Sequence, residues 1–225
     1  MLPASSKTKS NTEIAVERLR NLIFSGDLGA GTDHLESELA LKLGMSRTPV
    51  REAVVTLEGQ GLLEVRPRKG VRIRPLSPSD MSEIYDVLTA LESLAAHDAA
   101  QRGYSEQELG ELASAIDRMD DALSRDDRES WAEADNAFHA ELVRLGGNSR
   151  VRAIVAMMSD QVRRARQVTL YIRPVPTRSN QDHRGVLDAI RTGDPQTAYD
   201  IHHAHRKSAK KILMELLQTH HLKTL

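Results

Sequence analysis

The chain has 225 residues, enough for one or two domains that each bury a hydrophobic core. It contains no cysteine, which excludes disulfides and thiolate metal sites. Its first residues lack the apolar core of a signal peptide, and no apolar run approaches the roughly 20 residues that span a bilayer, so we expect a cytoplasmic protein that does not enter a membrane. The net charge of −1 combines +3 in residues 1–76 with −4 in the remainder, which favours an N-terminal part that faces phosphate.

The N-terminal part of the sequence mixes helical and extended patterns. Residues 1–11 are polar and are predicted to be disordered. Apolar residues then recur at helical spacing in three segments, and two short extended segments flank the basic turn RPRKG. The sequence therefore predicts three helices and two strands, at residues 12–24, 36–43, 46–60, 62–65 and 71–74.

Three helices followed by a two-stranded wing are typical of a winged helix-turn-helix domain, here predicted over residues 12–76. Its third helix would place its N-terminal side chains in the major groove of double-stranded DNA. Arg47 and Arg51 are four residues apart and share a helix face, from which a guanidinium can bind two acceptors of guanine. Ser46, which also caps the helix, and Thr48 can reach phosphates.

The predicted wing is strongly basic. It has no acidic residue from 66 to 74, and Arg68, Lys69 and Gly70 lie at its turn. Glycine permits a sharp turn and a close approach of the backbone to a duplex, while the cations supply affinity that depends on salt rather than on base sequence. Taken alone, this run is also compatible with a solvated basic hairpin that has no part in DNA binding.

The C-terminal part of the sequence contains no convincing strand. Residues 77–80 form the predicted linker, and from Met81 onward the apolar residues keep a helical period with clear breaks at GGNS and GDP. Beyond the first helix, the predicted helices lie near 105–124, 127–145, 149–171, 179–192 and 195–218. The fold class is therefore mainly α, with an antiparallel bundle of six to seven helices over residues 81–225.

Four side chains of the helical part can converge on one point. Asp135 and His139 are four residues apart and project from one helix face. His183 and His205 each lie 11 residues from Asp194, on the two helices that flank the GDP turn. If those helices fold back on each other, both imidazoles lie at one level, about 16 Å from the turn at ~1.5 Å per residue.

One carboxylate and three imidazoles suit a borderline divalent ion, with Zn or Ni favoured over Fe or Mn. An octahedral ion would keep two positions open for a small carboxylate. Spacing alone leaves His202 as a rival of His205, since the two lie on nearly the same face. Two other interpretations stay open: a purely structural ion in a regulator, and a metal-dependent hydrolase as the rival functional class.

The segment ELALKLGMSRTPVREAVVTLEGQGLLEVRPRKGVRI closely resembles the signature of the GntR family of transcriptional regulators, and the resemblance covers about residues 12–76. It implies a DNA-binding regulator rather than an enzyme, with Arg47, Thr48 and Arg51 on the recognition helix and a wing glycine at Gly70. Such a regulator acts as a homodimer on a pseudo-palindromic operator whose half-sites are about 34 Å apart. The resemblance also favours a repressor over an activator.

The motifs DNAFH and DHRGVLDAIRTGDP, together with His205, resemble the FCD ligand-binding domain of the FadR-like GntR subfamily. Six helices favour its shorter, VanR-like branch. In members that bind metal, the positions of Asp135, His139, His183 and His205 hold the ion, and this favours His205 over His202.

One position departs from the pattern of that subfamily. The first sensor helix commonly carries an arginine that pairs with an acidic effector, and Leu88 stands there in this sequence. Arg163 or Arg164 can supply the missing cation; otherwise the metal alone holds the acid, or the effector is less acidic. The sequence thus predicts a regulator controlled by a small, organic-acid-like metabolite bound at the metal.

Overall fold

The computed structural model describes residues 9–220, which form two compact units that divide between Leu76 and Ser77. Of the segment predicted to be disordered, residues 1–8 lie outside the described residues, and Asn11 already belongs to the first helix. No helix in the described part of the chain is long and apolar enough to cross a membrane.

The first unit contains three helices and a three-stranded sheet within residues 9–76. The elements are α1 (Asn11–Phe24), β1 (Asp33–His34), α2 (Glu36–Leu43), α3 (Arg47–Gly59), β2 (Leu63–Arg66) and β3 (Gly70–Ile73). The sheet is antiparallel with the order β1-β3-β2. The prediction of a two-stranded wing is therefore incomplete, because β1 adds a third strand that is only two residues long and has no readable alternation.

Local chemistry sets the ends of these helices. Ser10 and Glu13 form a reciprocal capping box at the start of α1. Gly44 ends α2 in the left-handed conformation, with a φ of 63°, which glycine adopts without steric cost. The chain then re-enters a helix at Arg47, and the buried stripe of α3, which includes Val50, packs into the core of this unit.

The second unit is an all-helical bundle, with six helices in residues 77–220. They are α4 (Pro78–Arg102), α5 (Gly110–Ser124), α6 (Arg128–Leu145), α7 (Ser149–Thr169), α8 (Thr177–Arg191) and α9 (Pro195–Thr219). Two of them have the cap, followed by a first-turn proline, that favours helix initiation: Ser77 caps α4 and Asp194 caps α9.

Small residues let the helices of the bundle approach closely. Ala96, Ala99 and Ala100 of α4 are buried in the core with residues of α5, α6, α8 and α9. A Cβ atom added to Gly146, at the end of α6, would lie 2.8 Å from the Cα of Ala95. This close packing brings polar side chains of α4, α6, α8 and α9 into one buried region.

Candidate functional sites

The N-terminal end of α3 presents the side chains that were predicted to read DNA. Arg47, Thr48 and Arg51 are exposed and line one surface groove of the first unit. Neither arginine has a hydrogen bond or ion pair with another residue in the range 9–220. Ser46 occupies the N-cap position, but its hydroxyl makes no capping bond. All four groups are thus available to an external partner such as DNA.

The basic wing is partly neutralised by an acid that precedes it in the chain. Asp33 of β1 lies 3.6 Å from Arg66 Nη1 and 3.4 Å from Arg72 Nη1. Arg68 and Lys69 at the turn are exposed, and within the described residues their side chains have no partner. The turn itself therefore carries the available positive charge.

Gly70 is required by strand pairing. Its φ is +87°, and an added Cβ would lie 2.3 Å from the carbonyl oxygen of His34. Any side chain at this position would push β1 away from β3. The structure therefore explains the glycine without a duplex, and a DNA contact at Gly70 stays a prediction.

The four predicted metal ligands lie together in the second unit. α6 supplies Asp135 and His139, α8 supplies His183, and α9 supplies His205. One candidate ligand atom from each lies within 4.8 Å of those of the others. His183 Nε2 is 3.6 Å from Asp135 Oδ1, and the rings of His183 and His205 are 4.5 Å apart between centroids.

These four groups fit a divalent ion because burial has left their ligand atoms without hydrogen bonds. Asp135 Oδ1, His139 Nε2, His183 Nε2 and His205 Nε2 are all enclosed, and none has a hydrogen-bond partner in the described structure. An unsatisfied buried polar group costs about 1–3 kcal/mol, and one ion would satisfy all four. Burial also lowers the pKa of His183 well below its usual value, which keeps that imidazole in the neutral form that ligates metal.

Asp135 also pairs with a buried cation. Arg166 of α7 donates from Nη1 to Asp135 Oδ2, and both side chains are almost fully enclosed. Burial acts to raise the pKa of Asp135, but the charge of the Arg166 guanidinium outweighs it and holds the pKa well below its ordinary value. The carboxylate is therefore ionised and ready to bind a cation.

A second cluster lies behind His139. Glu92 Oε2 of α4 is 3.0 Å from His139 Nδ1 and 3.5 Å from His202 Nε2, and these three groups are close enough to hold an ion themselves. Arg206 Nε already lies 3.5 Å from the same carboxylate oxygen. On this side His139 Nδ1 lies at ion-pair distance from Glu92 and at hydrogen-bond distance from His202 Nε2, which leaves His139 Nε2 for a metal.

His202 faces this second cluster. Its Nε2 lies 3.4 Å from His139 Nδ1, and its Nδ1 lies 3.2 Å from the hydroxyl of Ser93. It is not one of the four groups around Asp135.

Two cavities flank the Asp135 cluster. The larger has a volume of about 260 Å³ and is lined by Asp135, His205, Arg166 and Arg173 among others. The smaller, of about 150 Å³, is lined by Leu88, Glu92, His139, Arg163 and Arg166. Of the two arginines predicted to bind an effector, Arg163 thus faces the smaller cavity, whereas Arg164 is buried and lines neither.

Sequence reasoning missed three charged residues of this region, each with a readable signal. Glu92 falls within the stripe Tyr85, Leu88, Glu92, Ala95, Ala99, in which every other member is apolar or aromatic. Arg166 and Arg173 belong to the face of α7 and its extension that carries Val155, Val162 and Thr169. A charged residue on a buried face needs a partner, and this pattern marks functional candidates.

Comparison with known proteins assigns both units to one family. Residues 11–73 match the model described as bacterial regulatory proteins, gntR family, and residues 83–208 match the FCD domain. The chain is 31% identical over 212 residues, 88% of this chain and 87% of the other, to a probable D-xylose utilization operon transcriptional repressor of Paenarthrobacter nicotinovorans.

Other matches agree with that assignment. The chain is 39% identical over 141 residues, 62% of this chain and 82% of the other, to an uncharacterized HTH-type transcriptional regulator of Agrobacterium vitis. The structure of McbR/YncC from E. coli superposes with a TM-score of 0.76 at 20% identity, covering 93% of this chain and 99% of that one, and supports the fold alone. The VanR-like branch stays a prediction. The chain therefore belongs to the GntR family of bacterial regulatory proteins, DNA-binding regulators of transcription, and carries an FCD domain in its second unit.

Proposed function

We propose that this protein is a homodimeric repressor whose affinity for a pseudo-palindromic operator is controlled by a small organic acid bound at a divalent metal ion in the FCD domain. One observation carries the proposal: four buried ligand atoms without hydrogen-bond partners converge beside a cavity lined by arginines. Relatives named as a D-xylose utilization operon repressor and as gluconate operon repressors support repression.

In this proposal the operator is read by α3 and contacted by the wing. Arg47 and Arg51 bind base edges, Ser46 and Thr48 bind phosphates, and the wing turn at Arg68 and Lys69 adds salt-dependent affinity. The exposure of these side chains and the lack of internal partners for both arginines support this assignment.

Asp135, His139, His183 and His205 hold the ion, with Zn or Ni favoured over Fe or Mn for three imidazoles and a carboxylate. When bound by these residues, a divalent ion would supply a Lewis acid for a carboxylate of the effector. Carboxylates of the chain orient two of the ligands: Glu92 Oε2 lies 3.0 Å from His139 Nδ1, and Asp182 Oδ2 lies 3.5 Å from His205 Nδ1. The matched relatives are regulators, which supports a binding role for the ion rather than catalysis.

The dimer is proposed to form through an apolar face of the FCD domain. Val87 and Leu94 are seven residues apart on α4, and Ile154 and Met157 are three apart on α7; all four are exposed. Exposed apolar side chains that gather into one patch are typical of protein interfaces, and the dimer proposal requires these four to do so.

The DNA-binding half of the proposal is tested by operator titrations with Arg51→Ala. The loss of one bidentate base contact should weaken operator binding by about 1–3 kcal/mol, or roughly 5- to 160-fold. Arg118→Ala is the matched control, because this exposed arginine of α5 donates a hydrogen bond to the Ser114 hydroxyl beside it on the same helix and belongs to the second unit. Unchanged operator affinity in a folded Arg51→Ala protein would refute the assignment.

The sensing half is tested by elemental analysis followed by operator titrations with and without acid. Wild-type protein should retain about one divalent ion per chain, and His183→Ala should retain none. Organic acids should change operator affinity only in the metal-loaded protein. Chelation that unfolds the domain, with no acid ever changing operator affinity, would instead support a purely structural ion.

A further inference from the structure

The larger cavity beside the metal centre is lined by four arginines, and three of them already have partners. Arg166 pairs with Asp135, and Arg178 Nε lies 3.3 Å from Asp182. Arg128 Nε lies 3.3 Å from the carboxylate of Asp126, and its Nη1 donates to two backbone carbonyls at 3.4 and 3.5 Å.

Arg173 differs from the other three arginines. Its Nε donates to the hydroxyl of Thr169 at 2.8 Å, but its Nη2 is enclosed and has no hydrogen-bond partner. Within residues 9–220 it forms no ion pair. A guanidinium stays protonated under all ordinary conditions. The Arg173 side chain is half-buried, and its enclosed Nη2 is a donor without an acceptor, which is unfavourable. We therefore expect the guanidinium of Arg173 to bind an anion from outside the chain.

The electrostatic environment behind this cavity is also positive. Burial acts to raise the pKa of Tyr85, yet Arg166, Arg173 and Arg206 outweigh burial and lower it. Among the described residues of this region, Asp135 and Glu92 lie against these guanidiniums, while Asp182 pairs with Arg178, and a divalent ion would add two further positive charges. A single carboxylate would leave this region well short of neutrality.

The lining of the cavity combines polar and apolar side chains. Asp135 and His205 of the metal cluster, Arg173, and the apolar groups of Trp131 and Ile212 all contribute to it. The volume of about 260 Å³ lies below the range of roughly 300–1,000 Å³ that larger ligands need. A small molecule with a short hydrocarbon body fits these dimensions.

We propose that the effector is a small dicarboxylate that spans this cavity, with one carboxylate at the metal and the other bound by Arg173. The inference rests on the proposed function for the metal end of the ligand. It gives Arg173, rather than Arg163 or Arg164, the role left open by Leu88. A planar guanidinium can bind a carboxylate through two parallel hydrogen bonds, so Arg173 would select for the second carboxylate.

The test compares matched acids on the full chain loaded with Zn²⁺. Calorimetric titrations use succinate, glutarate and adipate, each against the monocarboxylate with the same number of carbons. Wild-type protein should bind at least one dicarboxylate about 30-fold or more tightly than its monocarboxylate match, the scale of a desolvated charge pair. Arg173→Met should lose that preference, keep its affinity for the monocarboxylate within about threefold, and keep its metal content.

Two variants sharpen the test. Arg178→Met is the control, since Arg178 lines the same cavity but is 85% exposed and already pairs with Asp182; it should keep the dicarboxylate preference. Arg173→Lys keeps the positive charge but lacks the planar guanidinium that forms two parallel hydrogen bonds, and it should keep only part of the dicarboxylate preference. If Arg173→Met does not fold, Arg173→Gln replaces it.

Three results would overturn the inference: no dicarboxylate preference in wild type, a preference that survives in Arg173→Met, or equal loss of both acids in that variant. Failure of the proposed function is read separately, because a wild-type protein without any divalent ion would refute it. If the wild-type protein holds no divalent ion but binds a dicarboxylate in a way that depends on Arg173, the role of Arg173 as the second anchor is supported. If it then binds no dicarboxylate, that role is refuted as well.

Discussion

Replacing Asp135 with asparagine should destabilise the metal-free protein far more than the loss of a surface charge would. The side chain of Asp135 is 1% exposed and that of Arg166 is 9% exposed, so the ion pair between them is shielded from water. Asparagine keeps the size of the side chain but leaves the guanidinium without a counter-ion. Removing one partner of a buried ion pair costs about 3–5 kcal/mol.

A second substitution separates this cause from a general packing defect. Arg166→Met removes the guanidinium that Asp135→Asn leaves without a counter-ion and replaces it with an apolar side chain of similar length. Exchanging a whole buried pair for apolar or neutral groups is often close to neutral. The double variant Asp135→Asn/Arg166→Met should therefore be more stable than Asp135→Asn alone, and the double-mutant cycle should give a coupling energy of about 0.5–3 kcal/mol.

The free energy of unfolding is measured by urea denaturation in excess chelator for wild type, both single variants and the double variant. Asp121→Asn is the control, because Asp121 forms an exposed pair with Arg125 and should cost under about 1 kcal/mol. The reasoning fails if Asp135→Asn costs no more than Asp121→Asn, or if the double variant is no more stable than Asp135→Asn.

Two further substitutions test particular contacts. Glu92→Gln removes the negative charge that lies 3.0 Å from His139 Nδ1 and should weaken metal binding about 10- to 100-fold in a chelator competition. Glu83→Gln, on the exposed face of α4, is the control and should leave metal binding unchanged. Gly70→Ala should lower the stability of the first unit by about 1–3 kcal/mol in thermal or urea unfolding, because the residue has a positive φ and its Cβ would meet the His34 carbonyl. Gly59→Ala, where nothing lies within 4 Å of the added Cβ, is the control and should be neutral or stabilising.

The convergence of His183 and His205 could be predicted because it depends on helix geometry alone. Equal spacing from the GDP turn places both residues at one level of an antiparallel pair, and their ring centroids lie 4.5 Å apart. The helical pattern was a poorer guide to the start of α5, which was predicted near residue 105 and is observed at Gly110. Ser105 and Glu108 hydrogen-bond to each other like a capping box, but there they close a turn ahead of the helix.

The sequence analysis did not single out Arg166 of α7 for a different reason. Three of the four residues at 163–166 are arginines, and successive side chains are rotated by about 100° around the helix axis. Which arginine faces inward therefore depends on how the helix is rotated against its neighbours. The structure places Val162 and Thr169 inward and carries Arg166 with them. The charge of Glu92 within an apolar stripe marks it as a candidate, but its partners lie on α6 and α9, and the sequence of α4 does not identify them.

The pair between Asp135 and Arg166 also connects metal binding to effector binding. In the metal-free protein the guanidinium is neutralised by the carboxylate, but a divalent ion on Asp135 turns that neighbour from one negative charge to a net positive one. Arg166 then needs another anion, and the cavity that it lines is where an acid would supply it. We therefore expect metal to raise the affinity for the acid, and linkage requires the acid to raise the affinity for metal by the same factor. Calorimetric titrations of each ligand with and without the other measure both factors, and acid affinity that is equal in the metal-free and metal-loaded protein would refute this coupling.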